Sequence, residues 1–271
     1  MESSGTDIHF AHANGLPFRT YEFFFRHLAG EFTIGGLDNR GAWPGQPPPP
    51  AAFDWYDHAD DLIAFLEYRY DKPVIAVGHS IGATVSLFAA IKRPDLFKRL
   101  ALIDPATVPS RFFDIALRYF PAWFPNKLPM VEKTRSRRAD WDSHQQFMDY
   151  HKTRRAYAGF TAAALDDYAR GGLEPDGNGG FKLVFAPEWE AHNFQKTAYI
   201  WDALAKVRVP TLMLPAGRTY LYDRSILSRQ ARRFSSSVTC TVLEGLGHLA
   251  PQQDPETVAS DLIAGLKARG P

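Results

Sequence analysis

A single cysteine in 271 residues leaves no partner for an internal disulfide, so the fold must be held by its core rather than by covalent staples. Cys240 lies in the β-branched run Val238-Thr239-Cys240-Thr241-Val242 and is expected as a small residue of a core strand or sheet face. Charge of one sign is equally scarce. The 31 basic and 30 acidic side chains give a formal net charge of +1, so no overall field draws nucleic acid or an anionic membrane, and neither is expected as a partner. No apolar run approaches the length of a membrane span, and Met1 to Asp7 holds no apolar targeting segment, so a soluble, cytoplasmic protein is expected. Internal repeats are missing too. No histidine pair has a companion cysteine or carboxylate at zinc spacing, and neither a metal nor a cofactor is expected.

What the chain does have is a hydrophobic content of 45%, ample for a core, in a length that α/β sheets commonly reach as one domain. Its densest signal is Val74-Ile75-Ala76-Val77-Gly78-His79-Ser80-Ile81-Gly82-Ala83-Thr84. An apolar β-branched run enters G-x-S-x-G and leaves into a helix-compatible stretch, the strand, sharp turn and helix context that gives this pattern meaning. A turn that tight strains the serine backbone, and Gly78 and Gly82 supply the missing β-carbons beside it. The arrangement lifts the Ser80 hydroxyl above the sheet and sets the Ile81 N–H at a helix N-terminus, where it can donate to an oxyanion.

In chain order, Asp7 to Ala11 reads as a strand ending in the loop His12-Ala13-Asn14-Gly15-Leu16-Pro17, with a helix from Phe18 to Leu28. A strand from Phe32 to Leu37 leads to Asp38-Asn39-Arg40-Gly41 and an extended proline-rich loop, Pro44 to Pro50. Leu62, Ile63, Leu66 and Tyr70 give a helix from about Tyr56 to Tyr70 a face for the sheet. Leu100 to Ile103 reads as a buried parallel strand ending at Asp104-Pro105. Strand alternation then stops until Val209 to Leu214 and Val238 to Leu243. Between them lie aromatic-rich segments, including Phe112, Phe113, Phe120, Trp123 and Phe124, a helix candidate from Trp141 to Tyr168, and a short strand from Phe181 to Phe185. The last helix runs from Pro255 to Lys267, with Asp254 as its N-cap.

A serine needs a base within reach and an acid to orient that base. Among nine histidines, His248 follows the final strand on the glycine-flanked loop Leu243 to Pro251 and is the base candidate; His79 reads as structural filler within the turn, and six others as solvated or packed. Together these features resemble the α/β-hydrolase superfamily with a cap domain: Gly78 to Gly82 as the nucleophile elbow, Gly247-His248 as the base, His12 to Pro17 as the oxyanion loop and Asp38 to Gly41 as the D-x-R-G turn. The resemblance implies a nucleophilic Ser80, a general base His248, and an oxyanion hole formed by the N–H groups of Asn14 and Ile81. Two features depart from it. Only about seven residues precede the first strand, too few for the usual N-terminal hairpin. Where the family commonly carries its acid, this chain has Gly217-Arg218-Thr219-Tyr220. Asp104, at the end of the strand after the elbow strand, is the favoured acid; Asp223 is the alternative, and it could equally cap a helix from Arg224 to Phe234.

The expected fold is therefore α/β: a mostly parallel sheet of about six strands flanked by helices, without the N-terminal hairpin, and with a helical cap inserted. Residues 1–105 and 206–271 form the core domain and residues 106–205 the cap. The expected function is a serine hydrolase cleaving an ester-type bond of a small, largely apolar acyl substrate through Ser80, His248 and Asp104. Lactonase, thioesterase and carbon–carbon bond hydrolase activity stand as alternatives on the same triad, and a ligand-sensing receptor with little turnover as one of another class. The basic run Lys133 to Arg138 reads as a solvated helix face, and a monomer or homodimer is expected.

Overall fold

Short apolar runs that alternate with helices assemble here into a parallel sheet. The computed structural model of the chain describes residues 6–108, 110–119 and 128–268. Strands β1 (Thr6–Ala11), β2 (Phe32–Gly35), β3 (Val74–His79) and β4 (Phe97–Ile103) are followed by β5 (Asp140–Trp141), β6 (Leu173–Pro175) and β7 (Phe181–Leu183), then by β8 (Thr211–Leu214) and β9 (Val238–Cys240). Six of them form one sheet in the order β2-β1-β3-β4-β8-β9, every neighbouring pair parallel. Among the described residues no strand precedes β1. β3 is buried along its whole length because helices cover both faces of the sheet, which is why its sequence is apolar without alternation.

The helices are α1 (Glu22–Arg26), α2 (Trp55–Arg69), α3 (Ile81–Lys92), α4 (Arg111–Tyr119), α5 (Pro129–Arg135), α6 (His144–Lys152), α7 (Ala162–Gly172), α8 (Pro187–Gln195), α9 (Trp201–Leu204), α10 (Arg224–Ala231), α11 (Ala250–Gln253) and α12 (Pro255–Lys267). Asp54 and Asp57 form a capping box that starts α2, whose Trp55, Ala59, Leu62, Ile63 and Leu66 are buried. That stripe joins α3 and α9 in one apolar cluster with sheet residues Val74, Ala76, Leu100 and Met213. On the opposite face, Ile8, Phe10, Ile75, Val77, Ile103 and Leu214 meet α1, α12 and the aromatic residues of α6 and α7. Asp254 caps α12 by accepting from the Thr257 N–H, with Pro255 as its first residue.

The winding reverses between β1 and β3. From β1 the chain goes out to β2, returns past β1 to β3, and then proceeds only toward β9. Open parallel sheets bind ligands beyond the carboxyl ends at such a reversal. The loop beginning at His12 and the turn holding Ser80 leave the sheet there.

Three sequence expectations differ from the structure. The helix expected from Trp141 to Tyr168 is broken into β5, α6, a single 3-10 turn at Arg155–Tyr157, and α7. Ser143 accepts from the Gln146 N–H and Thr161 from the Ala164 N–H, so two internal capping residues each start a new helix. Cys240 is exposed, because β9 is an edge strand with one neighbour. β2 stops at Gly35, short of Leu37. The expected aromatic residues Phe120, Trp123 and Phe124 lie outside the described residues. Among the described residues no helix is long and apolar enough to cross a membrane.

Candidate active site

Ser80 sits between β3 and α3 with φ 57° and ψ −120°, a conformation that costs free energy and persists only when its surroundings enforce it. They do so through close packing. A β-carbon on Gly78 would lie 2.5 Å from the Ala83 backbone, and one on Gly82 would lie 2.1 Å from the Ala11 carbonyl oxygen. Both glycines are required for the turn to fit between β1 and α3. The backbone is pinned as well: Ser80 N–H donates to the Ile103 carbonyl at 3.0 Å, and the Ser80 carbonyl accepts from Ala83, Thr84 and Ala106. Ile81 is the first residue of α3, so its N–H has no acceptor within the helix.

His248 arrives from the far end of the chain. Its Nε2 lies 2.9 Å from Ser80 Oγ and its Nδ1 lies 2.6 Å from Asp104 Oδ2. The loop that carries it is held by the Gly247 N–H, which donates to Gln253 Oε1 at 2.7 Å. Asp104 ends β4 with φ 38°, a left-handed conformation that aspartate tolerates better than most residues. It is fully buried and accepts four hydrogen bonds: Ala216 N–H and Tyr222 Oη on Oδ1, Thr219 Oγ1 and His248 Nδ1 on Oδ2. That number matches the lone pairs a carboxylate offers. Burial, together with the Asp104 charge, raises the Tyr222 pKa well above its usual value, so its hydroxyl stays a donor.

Asp223 is elsewhere. It caps α10 by accepting from the Ile226 N–H at 2.8 Å, and its carboxylate is exposed. Tyr220, in the place where the family commonly carries its acid, packs its ring edge-to-face on His248 with centroids 5.0 Å apart. Apart from the aromatic residue itself, nothing in the local sequence marks this contact.

The loop after β1 is anchored on three sides. Ala13 N–H donates to Tyr21 Oη at 3.1 Å. His12 Nε2 accepts from the Asn39 N–H at 3.0 Å, and its Nδ1 lies 2.7 Å from the Ala13 carbonyl. The Asp38 to Gly41 turn thereby has a purpose: Asp38 accepts from Phe18 N–H, Asn39 holds His12, and Arg40 clamps Asp61 of α2 with two bonds of 2.7 Å. Asn14 spends its side chain on α8, donating from Nδ2 to the Glu190 carbonyl and accepting from Asn193 Nδ2, each at 2.9 Å. Its backbone N–H takes no part in these bonds. His79 is more than filler, since Nδ1 meets Tyr21 Oη and Nε2 meets the His248 carbonyl, both at 2.8 Å.

Residues of α8 pack against the loop after β1. Arg137, expected on a solvated face, is instead mostly buried against Glu190, with Nη2 donating to Tyr168 Oη at 2.9 Å. The Glu190 carboxylate rests over Gly15, where a β-carbon would lie 2.7 Å from it, and the φ of +73° there also favours glycine. Behind Ile81 and Gly82, on the α2 side of the sheet, a cavity of about 40 Å³ is lined by His9, His12, His58 and Asp38. Both ring nitrogens of His9 and the Nδ1 of His58 are buried there without a hydrogen-bond partner among the described residues. Burial lowers the pKa of His9 to about 3 and that of His58 to about 4, so both are neutral. Among the described residues no group of histidine, cysteine and carboxylate side chains is placed to hold a metal ion.

The chain is 39% identical over 80 residues to lipase LipV of Mycobacterium tuberculosis, a match covering 30% of each chain. It is 31% identical over 103 residues to the karrikin insensitive 2 receptor CA of Petunia hybrida, covering 35% of this chain and 36% of the receptor. The matched stretch thus spans about a third of the length of these curated relatives. Over nearly the whole chain, the fold superposes on the crystal structure of E-2-(acetamidomethylene)succinate hydrolase with a TM-score of 0.79 and 22% identity, covering 98% of this chain and 92% of that one. The sequence model of the alpha/beta hydrolase family matches residues 10–261, and the chain belongs to that family.

Proposed function

We propose that this chain is a serine hydrolase that cleaves an ester-type bond of a small, largely apolar acyl substrate through a covalent acyl-enzyme. The reading rests on one observation: the imidazole of His248 lies within hydrogen-bond reach of both Ser80 Oγ and the fully buried Asp104. In the proposed sequence, Ser80 passes its proton to His248 Nε2 as Oγ attacks the acyl carbon. Asp104 holds Nδ1–H and favours the imidazolium that results. The oxygen that gains the negative charge is met by the N–H groups of Ile81 and Asn14, and one such donor is typically worth about 3 kcal/mol in the transition state. Collapse of the intermediate expels the alcohol oxygen, which takes the proton from Nε2. A water then repeats the cycle on the acyl-serine, giving its proton to Nε2 and releasing the carboxylic acid and free Ser80. Residues 106–205 act in this reading as a cap over the sheet edge, and their aromatic side chains favour an apolar acyl group.

The experiment is hydrolysis of a p-nitrophenyl ester series by the wild type and by Ser80→Ala, with a fluorophosphonate probe to label the serine. Turnover and labelling that both vanish in the variant support the proposal; turnover that survives overturns it. A second reading, a ligand sensor with little turnover, is favoured by the similarity to a karrikin insensitive receptor. A burst of product followed by a stalled acyl-enzyme would favour the sensor, and sustained turnover the enzyme.

A further inference from the structure

The hydrogen bonds beneath Ser80 fix their own direction. A backbone carbonyl only accepts, so the His79 Nε2 that lies 2.8 Å from the His248 carbonyl carries a proton. Burial, reinforced by the nearby His248, lowers the His79 pKa to about 3, which leaves the ring neutral and its Nδ1 bare. Tyr21 Oη, 2.8 Å from that Nδ1, therefore donates to it. The remaining lone pairs of the tyrosine oxygen accept from Ala13 N–H at 3.1 Å. Tyr21 is 1% exposed and His79 is fully buried, so solvent has no access to replace either partner.

Each terminus of this relay touches a different part of the proposed machinery. Ala13 precedes Asn14, His79 precedes Ser80, and the final carbonyl belongs to His248 itself. Resting on the reading of Ser80, His248 and the Asn14 N–H given above, we infer that Tyr21 and His79 are positioning residues: their relay holds the oxyanion loop, the nucleophile turn and the base loop in register. The two are not interchangeable with packing residues. A phenylalanine in place of Tyr21 would fill the same space among Phe10, Phe25 and His79, yet would leave Ala13 N–H and His79 Nδ1 without partners in a buried site. The relay also ties residues 58 and 169 positions apart in sequence, joining parts of the site that no single element carries.

The test uses p-nitrophenyl acetate and the corresponding thionoester, with melting temperature followed in parallel. A thionoester develops its charge on sulfur, which accepts hydrogen bonds weakly, so the ratio of oxygen-ester to thionoester rates reports on the oxyanion donors. Tyr21→Phe should lower kcat on the oxygen ester by about tenfold to a hundredfold with KM changed by less than about twofold, the loss expected when reacting groups are displaced by a fraction of an ångström. The oxygen-to-sulfur ratio should fall as well. His79→Gln keeps a donor near the Nε2 position but loses the acceptor for Tyr21, so it should lower the ratio as Tyr21→Phe does. His79→Asn keeps an acceptor near Nδ1 but loses the donor to His248, so it should slow both esters and leave the ratio near that of the wild type. These two variants also carry the test if Tyr21→Phe does not fold. Wild-type kcat and ratio in Tyr21→Phe, or equal losses on both esters that track the melting temperature in all three variants, would overturn the relay and leave Ser80 and His248 untouched. A wild type that neither turns over the esters nor labels at Ser80 with the fluorophosphonate would overturn the reading of the site and the relay with it.

Discussion

At the carboxyl edge of the sheet, Tyr21, His79, Asp104 and His248 are held by hydrogen bonds whose donors and acceptors are forced, whereas the residues above them are held mostly by rings against rings. In the upper region Trp141 packs on Phe147, Phe147 on His151 and Tyr168, and Tyr157 stacks on Tyr168, with centroids 4.0–5.3 Å apart. Ring packing is broadly directional at best, and volume-conserving exchange there costs little. A hydrogen bond into a buried carboxylate has no such latitude. The lower region also stores strain, in the φ values of Ser80 and Asp104, and the upper region has no non-glycine residue with positive φ among the described residues. The lower region is thus fixed by the direction of its hydrogen bonds, and the upper one by the volume of its rings.

The largest expected effect tests the lower region. Asp104→Asn puts an amide N–H₂ where His248 Nδ1–H now donates, so the imidazole must turn to the tautomer whose Nε2 already carries a proton and cannot take one from Ser80. Turnover should fall on the order of 10⁴-fold, with the fold kept. Asp223→Asn, which touches only the cap of α10, should leave kcat within about twofold, as for a surface change away from the site. Steady-state kinetics on the same ester decides between them; mild losses in both would remove Asp104 from its proposed role.

In the upper region the ion pair of Arg137 and Glu190 is directional, with side chains 16% and 11% exposed. Glu190→Gln leaves a mostly buried guanidinium without its counter-charge and should cost about 3 kcal/mol of stability. Arg137→Met combined with Glu190→Gln should recover most of that loss, because the double variant buries no unpaired charge. Denaturant titrations of the wild type, the singles and the double measure the coupling; additive losses would mean the pair does not act as one.

Acid should weaken the fold, by a route that follows from burial. His9 and His79 have folded pKa values near 3 and His58 near 4, each lowered first by desolvation, against about 6.5 in the unfolded chain. Between those values the unfolded chain binds protons that the folded one does not, so stability falls as pH falls from about 7 toward 4. One such histidine contributes about 2 kcal/mol between about pH 7.5 and about pH 5. His9 gives the cleanest test, since both its ring nitrogens lack partners and its ring packs on Phe65 and Tyr70. His9→Leu should show a shallower loss of melting temperature on acidification than the wild type; an unchanged slope would show that His9 is already free to protonate when folded.

How legible each region was follows the same division. The strained turn at Ser80 could be read from Gly78 and Gly82, because a local backbone constraint leaves a local residue signature. Asp254 and Asp223 could be read as caps for the same reason. Asp104 rests on the resemblance, since Tyr220 occupies the usual place of the acid and Asp223 is the other carboxylate nearby. What escaped the sequence was long-range. The partner of Arg137 lies 53 residues away, and both partners of His79 lie farther still, so no periodicity marks them. The apolar spacing from Trp141 to Tyr168 ran straight through Ser143 and Thr161, which capped new helices. Cys240 read as interior because β-branched neighbours announce a strand and not its place at the sheet's edge.

Tyr220 touches the lower region through His248, and it offers the smallest and most discriminating effect. It is 70% exposed and holds one ring edge-to-face against His248. Such a pair is worth about 0.5–1.5 kcal/mol beyond buried area. If the ring steadies the imidazole, Tyr220→Ala should lower kcat by about threefold to tenfold, as that energy implies, and Tyr220→Phe should restore the wild-type rate because the hydroxyl takes no part. If the ring instead belongs to the substrate-facing wall, Tyr220→Ala should raise KM for long acyl esters and leave kcat alone. Kinetics across an ester chain-length series separates the outcomes, and so decides on which side of the division this residue lies.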